Sequence, residues 1–232
     1  MKYNFKNCRV VINAGTEVLK IDGMGEPARE KPAQEMAGIN IQRTYENIAV
    51  FMANRDKVRT SDRVKLPAFT VQGVGVAGDE VLNFDERNIK ADEAIVIGKE
   101  KNGDFILIFD HCLFESAVDL NNEKRFELTQ LGLYLQQEFL RAMNGAGIPA
   151  KSCGLISKDE MFGDNALEYF KAGRNRIAFD FNENCSRCYW LSTLYDNVAR
   201  LFLASTNGVS GWNGAMSANF CVRPRFVISA KE

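Results

Sequence analysis

The sequence predicts an α+β domain of antiparallel strands with one long and one short helix, and three stretches carry this prediction. The apolar run 94–114 is interrupted by Asn102-Gly103, a pair that favours a tight turn, so it is predicted to form a β-hairpin. Residues 126–143 repeat apolar side chains at helical spacing. Residues 189–228 alternate apolar runs with polar, glycine-bearing turns, which predicts further strands.

Composition bounds the class of protein. The chain has 232 residues, of which 46% are hydrophobic and 25% charged, as in ordinary globular proteins. Its formal net charge of -1 provides no global basic field for nucleic acid or anionic lipid, so neither is expected as a direct ligand. No apolar run approaches the roughly 20 residues that span a bilayer. The first residues lack the apolar core of a signal peptide, so synthesis in a cytoplasm is expected.

The six cysteines are predicted to be reduced, because the chain is long and shows no export signal. Cys185-Ser186-Arg187-Cys188 is a single C-x-x-C, whereas a structural zinc site needs two further ligands. A redox role would need a thioredoxin-like βαβ setting, which is absent from the pattern. No metal and no cofactor is therefore predicted, although metal binding by Cys185 and Cys188 stays open.

Residues 1–80 are predicted to form an N-terminal β/α extension for docking or oligomerisation, followed by a domain over 85–232. The elements predicted in the extension are a hairpin in 1–25, an exposed loop over 25–38, a helix within 39–58 and a strand over 66–76. The predicted helix would place apolar residues 41, 45, 48 and 52 on one face.

Residues 73–78 match the dinucleotide-binding pattern G-x-G-x-x-G. That motif requires a helix to begin at the glycines, so that its first amides meet the pyrophosphate. Residues 79–92 are instead charged and irregular, without an apolar stripe. We interpret the glycines as a strand end or linker.

His111 lies between Asp110 and Cys112, a string that invites a catalytic interpretation. In a strand, however, neighbouring side chains point to opposite faces, so His111 would face away from both. We interpret it as a structural histidine at a strand end. The sequence contains no Ser, His and Asp in a recognisable catalytic order and no distinctive carboxylate pair, so no catalytic residue is predicted.

The long helix is predicted over 126–143, with Gly145 as its stop. Its apolar face would consist of Leu128, Leu131, Leu135, Phe139 and Met143. Ser157 and Glu160 fit a capping box, which predicts a short helix from Lys158 to about 162–163.

Three segments then carry a resemblance: residues 155–160 (Leu-Ile-Ser-Lys-Asp-Glu), residues 189–192 (Tyr-Trp-Leu-Ser) and residues 222–226 (Val-Arg-Pro-Arg-Phe). Over about 85–230 the chain resembles an uncharacterised domain family of gut bacteria and their phages. That family is similar to a variant of the C-type-lectin-like fold, which also carries the variable proteins of diversity-generating retroelements and the formylglycine-generating enzymes. Residues 1–80 lie outside the resemblance.

Three residues of these segments are predicted to be structural. Trp190 would pack under a sheet, where a buried indole contributes a few kcal/mol by area. Arg223, between Val222 and Pro224, is interpreted as a structural clamp that would need an acidic or carbonyl partner if it is buried. Pro224 lacks an amide hydrogen and suits an edge strand or a bulge.

The resemblance implies a recognition surface from loops 192–220. The candidate contact residues are Thr193, Tyr195, Asp196, Trp212, Asn213 and Asn219. Exposed aromatic and amide groups suit sugar or protein contacts, while ordinary turn and core roles remain the alternative for each one. The 212–214 segment lacks the carboxylate that calcium requires, so no calcium site is predicted.

Three functions are expected from the sequence. The first is a non-catalytic, phage-associated binding module that recognises a protein or glycan, with virion components or a second copy as further partners. The second is an intracellular phage protein that inhibits a host defence system or enzyme. The third is an enzyme of the formylglycine-generating type, for which Cys221 alone does not reproduce the reactive cysteine pair. The expected location is the host cytoplasm or the phage virion.

Overall fold

The computed structural model describes residues 42–181, 185–195 and 200–230. The hairpin predicted in 1–25 and the loop predicted over 25–38 lie outside the described residues. The chain divides into two units, Met1–Asn40 and Ile41–Glu232, and the second is described below.

The second unit is α+β and consists mostly of strands, which confirms the predicted class. The strands in chain order are β1 Thr44–Tyr45, β2 Arg63–Leu66, β3 Phe69–Val71, β4 Val74–Val76, β5 Leu82–Phe84, β6 Arg87–Ile89, β7 Asp92–Lys99, β8 Phe105–Phe109, β9 His111–Cys112, β10 Phe114–Glu115, β11 Ala150–Gly154, β12 Ala178–Asp180, β13 Ser186–Arg187, β14 Tyr189–Leu194, β15 Arg200–Ala204, β16 Ser210–Gly214, β17 Cys221–Val222 and β18 Arg225–Ile228.

The helices are few and mostly short. They are α1 Ile48–Ala53, the 16-residue α2 over 130–145, α3 Lys158–Phe162 and α4 Glu168–Lys171, with 3₁₀ turns at Arg55–Lys57, Phe126–Leu128 and Gly173–Arg176. Within α2, the segment Leu135–Phe139 has the wider π-helical geometry.

Two larger sheets organise the unit. The six-stranded sheet has the order β1-β2-β7-β8-β18-β11, antiparallel except for the parallel β1–β2 pair. The five-stranded sheet has the order β10-β17-β14-β15-β16, antiparallel except for β17–β14. Smaller sheets join β13-β12-β9, β3-β6 and β4-β5.

The predicted hairpin is β7–β8, at the centre of the six-stranded sheet. Its continuous apolar run follows from burial on both faces, because its side chains enter two separate cores. The turn is not of the type I′ that Asn-Gly pairs favour, since of these two residues only Gly103 has a positive φ, of 92°. The Gly103 N–H donates to the Glu100 carbonyl at 2.9 Å, so this is a three-residue turn with glycine in the left-handed position.

The first core lies between the six-stranded sheet, α2 and the inner face of the five-stranded sheet. Leu131, Leu135, Phe139 and Met143 of α2 are fully buried in it, as predicted. Leu128 is the exception, because the chain forms a 3₁₀ turn there and α2 begins only after Thr129. Leu128 is 41% exposed, so its assignment to the apolar face is wrong.

The second core covers the opposite face of β7–β8. Met161 of α3 and Phe170 of α4 close it from outside, and Tyr189 and Leu191 of β14 close its end. The capping box that starts α3 is confirmed: the Ser157 hydroxyl accepts from the Glu160 amide, and the Glu160 carboxylate accepts from the Ser157 amide.

Several predictions for residues 39–84 are corrected. The helix is shorter than predicted, because Tyr45 belongs to β1 and only Ile48–Ala53 is α-helical. The single strand over 66–76 is divided into β2, β3 and β4. The predicted boundary between 80 and 85 is also displaced, since β2 pairs with β7 inside the six-stranded sheet and the compact unit begins at Ile41.

The two large sheets are joined by one antiparallel pair of segments, 105–116 and 220–228. β8 pairs with β18 in the six-stranded sheet, and β10 pairs with β17 in the five-stranded sheet. Between these pairs the Leu113 N–H donates to the Val222 carbonyl at 2.9 Å, and the Phe109 N–H donates to the Pro224 carbonyl at 3.1 Å. The closing segment therefore passes from one sheet to the other at residues 223–224.

Arg223 lies at this crossing and is 1% exposed. Its Nε donates to the Phe109 carbonyl at 2.8 Å, and its Nη1 lies 3.4 Å from the Tyr189 hydroxyl. Burial raises the pKa of Tyr189 to about 12, so its hydroxyl stays neutral and donates to the Arg176 carbonyl at 2.7 Å. Arg223 is thus buried with a carbonyl partner, and it links β8 of one sheet to β14 of the other.

Trp190 and Pro224 stand beside this link. Trp190 is fully buried, and its Nε1–H donates to the Ser116 carbonyl at 2.9 Å, which ties β14 to the residue after β10. Pro224 precedes β18, which is an interior strand rather than an edge. Proline suits this position because the chain is changing sheets there, so its missing N–H removes no ladder bond.

We expect Arg223→Met to lower the free energy of unfolding by about 1–3 kcal/mol, because the buried Phe109 carbonyl loses its donor. The measurement is urea denaturation followed by circular dichroism. Arg225→Met is the matched control, since Arg225 is partly exposed and its pair with Glu160, at 3.5 Å, contributes at most about 1 kcal/mol. Equal losses in the two variants would contradict a special role for Arg223.

Candidate functional site

An exposed aromatic cluster lies on the outer part of the five-stranded sheet. It consists of Tyr195, directly after β14, Phe202 on β15 and Trp212 on β16. The Tyr195 and Trp212 rings are stacked, with centroids 4.9 Å apart and an interplanar angle of 22°. Tyr195 also meets Phe202 edge to face at 5.2 Å. Trp212 is 47% exposed and Tyr195 44%, so ring surface remains open to solvent.

Two cationic side chains accompany these rings. The Arg200 guanidinium carbon lies 4.7 Å from the Trp212 ring centroid, and the Lys158 Nζ lies 4.2 Å from that of Phe202. Both distances are within the range of cation–π attraction, which contributes about 0.5–1 kcal/mol at exposed sites. The aromatic cluster therefore presents ring faces and positive charge together.

The strand register places these groups on one face. Phe202 lies directly opposite Trp212 in the β15–β16 pair, and residues directly opposite in an antiparallel pair project to the same side. Arg200 precedes Phe202 by two residues and so shares that side. The Tyr195 N–H donates to the Arg200 carbonyl at 2.7 Å, which fixes the start of the cluster.

Helix α3 borders the cluster, and Thr193 holds it there. The Thr193 Oγ1 accepts from the Lys158 backbone N–H at 2.9 Å, which fixes the first residue of α3 against β14. Because Lys158 is held in this way, its side chain extends over Phe202. Of the predicted contact residues, Thr193 therefore has a positioning role.

Of the other predicted contact residues, some lie in the aromatic cluster and some lie outside it. Tyr195 and Trp212 form the stack at the centre of the cluster. Asn213 follows Trp212 in the same strand and so projects to the opposite face, where its Oδ1 accepts from the Gly214 N–H at 2.8 Å. Asn219 is exposed in the connection between β16 and β17, outside the cluster, and Asp196 lies outside the described residues.

Arg200, Phe202 and Lys158 were missed in the sequence. The alternation of Arg200 and Phe202 around buried Leu201 is a signal that could have identified the first two. No sequence signal could identify Lys158, because its place over Phe202 depends on how α3 packs against β14.

The sheet edge that carries Trp212 is unusually poor in charge. Residues 201–222 contain no Asp, Glu, Lys, Arg or His, in a chain of which 25% is charged. Two exposed apolar side chains, Val209 and Met216, lie at the two ends of β16. This surface therefore suits an uncharged or amphipathic neighbour better than a strongly ionic one.

A second polar group of residues surrounds His111. Its Nδ1 lies 2.7 Å from Asp92 Oδ1, and its backbone N–H donates to Asp92 Oδ2 at 3.2 Å. The His111 ring stacks on Phe181 with centroids 4.5 Å apart. Asp110, the sequence neighbour, pairs instead with Arg63. These contacts anchor β9 to the start of β7.

Cys112 and Cys221 are neighbours in the second core, a proximity that the sequence did not predict. Their thiols are hydrogen-bonded to each other, and both residues are buried. The hydrogen bond, together with burial, raises the pKa of Cys112, and the same hydrogen bond lowers the pKa of Cys221.

The metal and nucleotide motifs gain no further ligands. Cys185 is exposed and Cys188 half-buried. Across residues 42–181, 185–195 and 200–230, no group of three His, Cys, Asp or Glu side chains is arranged to share a metal ion. Of the glycines of 73–78, Gly75 lies within β4 and the other two flank it; β4 pairs with β5, so the helix that a pyrophosphate site requires does not follow.

Comparison with models of protein families, with curated proteins and with solved structures finds no match for this chain. The resemblance of residues 85–230 to the C-type-lectin-like fold therefore stays a prediction. In the described part of the chain, no helix has the length and apolar character required to cross a bilayer.

The contact between His111 and Asp92 makes stability depend on pH. The hydrogen bond with Asp92 raises the pKa of His111 above its ordinary value of 6.5, although partial burial opposes this. The folded state therefore binds the proton more tightly than the unfolded state. Its stabilisation is complete below about pH 6.5 and is lost as pH rises through the folded-state pKa.

We expect the unfolding free-energy difference between wild type and His111→Gln to be larger at about pH 5.5 than at about pH 8. Because His111 is the only histidine, the variant removes the histidine contribution to the pH dependence entirely. Urea denaturation at the two pH values measures the difference, and a difference that is the same at both would contradict the assignment.

Proposed function

We propose that the chain is a non-catalytic binding module, with a C-type-lectin-like domain, that recognises a protein or glycan through the aromatic cluster. The observation that carries the proposal is the exposed Tyr195–Trp212 stack on a rigid strand pair. Exposed aromatic rings are costly to leave in water and supply much of the binding energy at recognition surfaces.

The construction of the cluster supports this proposal. Phe202 and Trp212 are on regular, paired strands, so little conformational entropy is lost when a ligand covers them. Arg200 and Lys158 add donors beside the rings, which suits hydroxyl, carbonyl or carboxylate groups of a ligand. Thr193 fixes the position of Lys158 before any ligand arrives.

Two tryptophans give a direct readout. Trp190 is fully buried, whereas Trp212 is in the proposed contact surface. A ligand that covers the cluster should therefore change the emission of Trp212 and leave that of Trp190 unchanged. Comparing wild type with Trp212→Phe, which retains only Trp190, identifies the emission that belongs to the site.

We expect Trp212→Ala to weaken binding to bacterial cell-envelope fractions by at least about tenfold, since a central aromatic contact is worth more than about 1.4 kcal/mol. Val81→Ala is the matched control, because Val81 is also exposed but lies far along the chain, before β5. Biolayer interferometry of the full chain provides the measurement.

Pretreatment of the fractions separates the two ligand classes. Periodate, which cleaves vicinal diols, should abolish binding to a glycan, and protease should abolish binding to a protein. If Trp212→Ala binds as tightly as wild type while Val81→Ala is also unchanged, the aromatic cluster is not the recognition surface.

A further inference from the structure

β16 is the outermost strand of the five-stranded sheet, and within the described ranges no strand lies beyond it. One side of this strand pairs with β15 over five residue pairs, from Arg200–Gly214 to Ala204–Ser210. Its other side is a sheet edge whose backbone groups can pair with another strand.

The hydrogen-bond pattern shows which backbone groups point outward. The Ser205 N–H donates to the Val209 carbonyl at 2.9 Å, and hydrogen-bonded pairs alternate along an antiparallel ladder. Gly211 and Asn213 therefore bond to β15, while Ser210, Trp212 and Gly214 direct their N–H and C=O groups away from it. The Gly214 C=O accepts from the Ser217 N–H at 3.0 Å in the turn that follows. The Gly214 N–H agrees with this pattern, because it donates to the Asn213 side chain instead of to β15.

Other sheet edges of the unit have features that discourage pairing. β1 and β10 are only two residues long, and β11 carries Lys151. β16 has the sequence Ser-Gly-Trp-Asn-Gly, without a charge or a proline. It also lies within the uncharged stretch 201–222, so the two paired strands would carry no charges of their own, and Arg200 of each copy would stay over its own Trp212.

The ends of β16 add apolar surface to this edge. Val209 is 54% exposed and Met216 57% exposed, on either side of the strand. In an antiparallel pairing centred on Trp212, position 209 of one strand lies opposite position 215 of the other. Ala215 is already buried in the first core, so Val209 of one copy would be covered by the adjoining Met216 of the other.

We propose that β16 pairs with β16 of a second copy, antiparallel and with a two-fold axis at Trp212. The outward groups at the centre fit this arrangement, because the two Trp212 residues would exchange both backbone hydrogen bonds. Ser210 would lie opposite Gly214 of the second copy, whose carbonyl can accept the Ser210 N–H beside that of Ser217, while the Gly214 N–H remains with Asn213 Oδ1. A two-fold contact uses the same surface on both subunits, which an uncharged and self-complementary strand provides.

The pairing has a consequence that rests on the proposed function. Residues directly opposite in an antiparallel pair project to the same face, so the aromatic clusters of both copies would adjoin on one continuous sheet. The dimer would then present two contact surfaces side by side, and a repetitive glycan or a clustered protein would bind it with avidity.

The test is sedimentation equilibrium of the full chain with a pair of variants at Ser210. We expect wild type and Ser210→Ala to form a dimer of twice 26.0 kDa. Ser210→Pro removes an outward N–H without removing a bond to β15, so it should raise the dimer dissociation constant by more than about tenfold. Circular dichroism confirms that each variant is folded.

A second variant tests the dimer without introducing a proline into β16. Trp212→Glu would place two carboxylates directly opposite each other at the two-fold axis and should also give a monomer, whereas Val81→Glu should remain a dimer. The proposal is overturned if the full chain has a mass of 26.0 kDa at all concentrations, as it would if another segment or a different protein occupies β16. A dimer that both Ser210→Pro and Trp212→Glu leave intact overturns it too.

Failure of the dimer and failure of the binding function give different results. A monomeric Ser210→Pro that still shows the Trp212 emission change on addition of ligand retains the proposed function, which would then survive without the pairing. If the wild type is a dimer and Ser210→Pro is a monomer, but no fraction changes the Trp212 emission, the result supports the pairing and not the proposed function.

Discussion

The buried guanidinium of Arg223 is the contact on which the rest of the unit depends. The closing segment leaves the five-stranded sheet after Val222 and enters the six-stranded sheet at Arg225, and Arg223 lies at the change. Its bonds reach the Phe109 carbonyl in one sheet and the Tyr189 hydroxyl in the other. A charge in this position would be costly without such partners, so the crossing can form only when both sheets are in place.

This constraint explains where the candidate site lies. β14 is fixed at its start by Tyr189 and by the Trp190–Ser116 hydrogen bond, so its far end extends beyond the cover of α3. The aromatic cluster is the continuation of the second core past that helix, where the same face of the sheet meets solvent. Its rings are therefore presented by strands that are rigid at one end and exposed at the other.

The sequence predicted the features that are set by local chemistry. The Asn-Gly hairpin, the Ser157 capping box and the buried face of α2 from Leu131 to Met143 all follow from neighbouring residues and their spacing. The prediction that Leu128 belongs to the buried face of α2 was wrong, because the residues before Thr129 form a tighter 3₁₀ turn. The division of 63–76 into three strands could not be read from that segment, since two of those strands pair with partners beyond residue 85.

The sequence likewise predicted some residues of the candidate site and missed others. Tyr195 and Trp212 were predicted because exposed aromatic groups suit sugar or protein contacts, and the structure brings the two rings together. Lys158 and the contact of Cys112 with Cys221 depend on packing between distant segments, which no single stretch of sequence records. Whether Asn213 shares a face with Trp212 could not be predicted until the segment was known to be a strand, in which neighbouring side chains alternate.

Native-state hydrogen exchange tests most directly whether Arg223 couples the two sheets into one cooperative unit. The amides to compare are those of Leu107 in β8 and Leu203 in β15, which lie in different sheets. Coupling predicts that both exchange only on global unfolding, with the same free energy and the same dependence on denaturant. If Leu203 exchanges with a free energy lower by about 2 kcal/mol or more, the five-stranded sheet opens by itself and the coupling is contradicted.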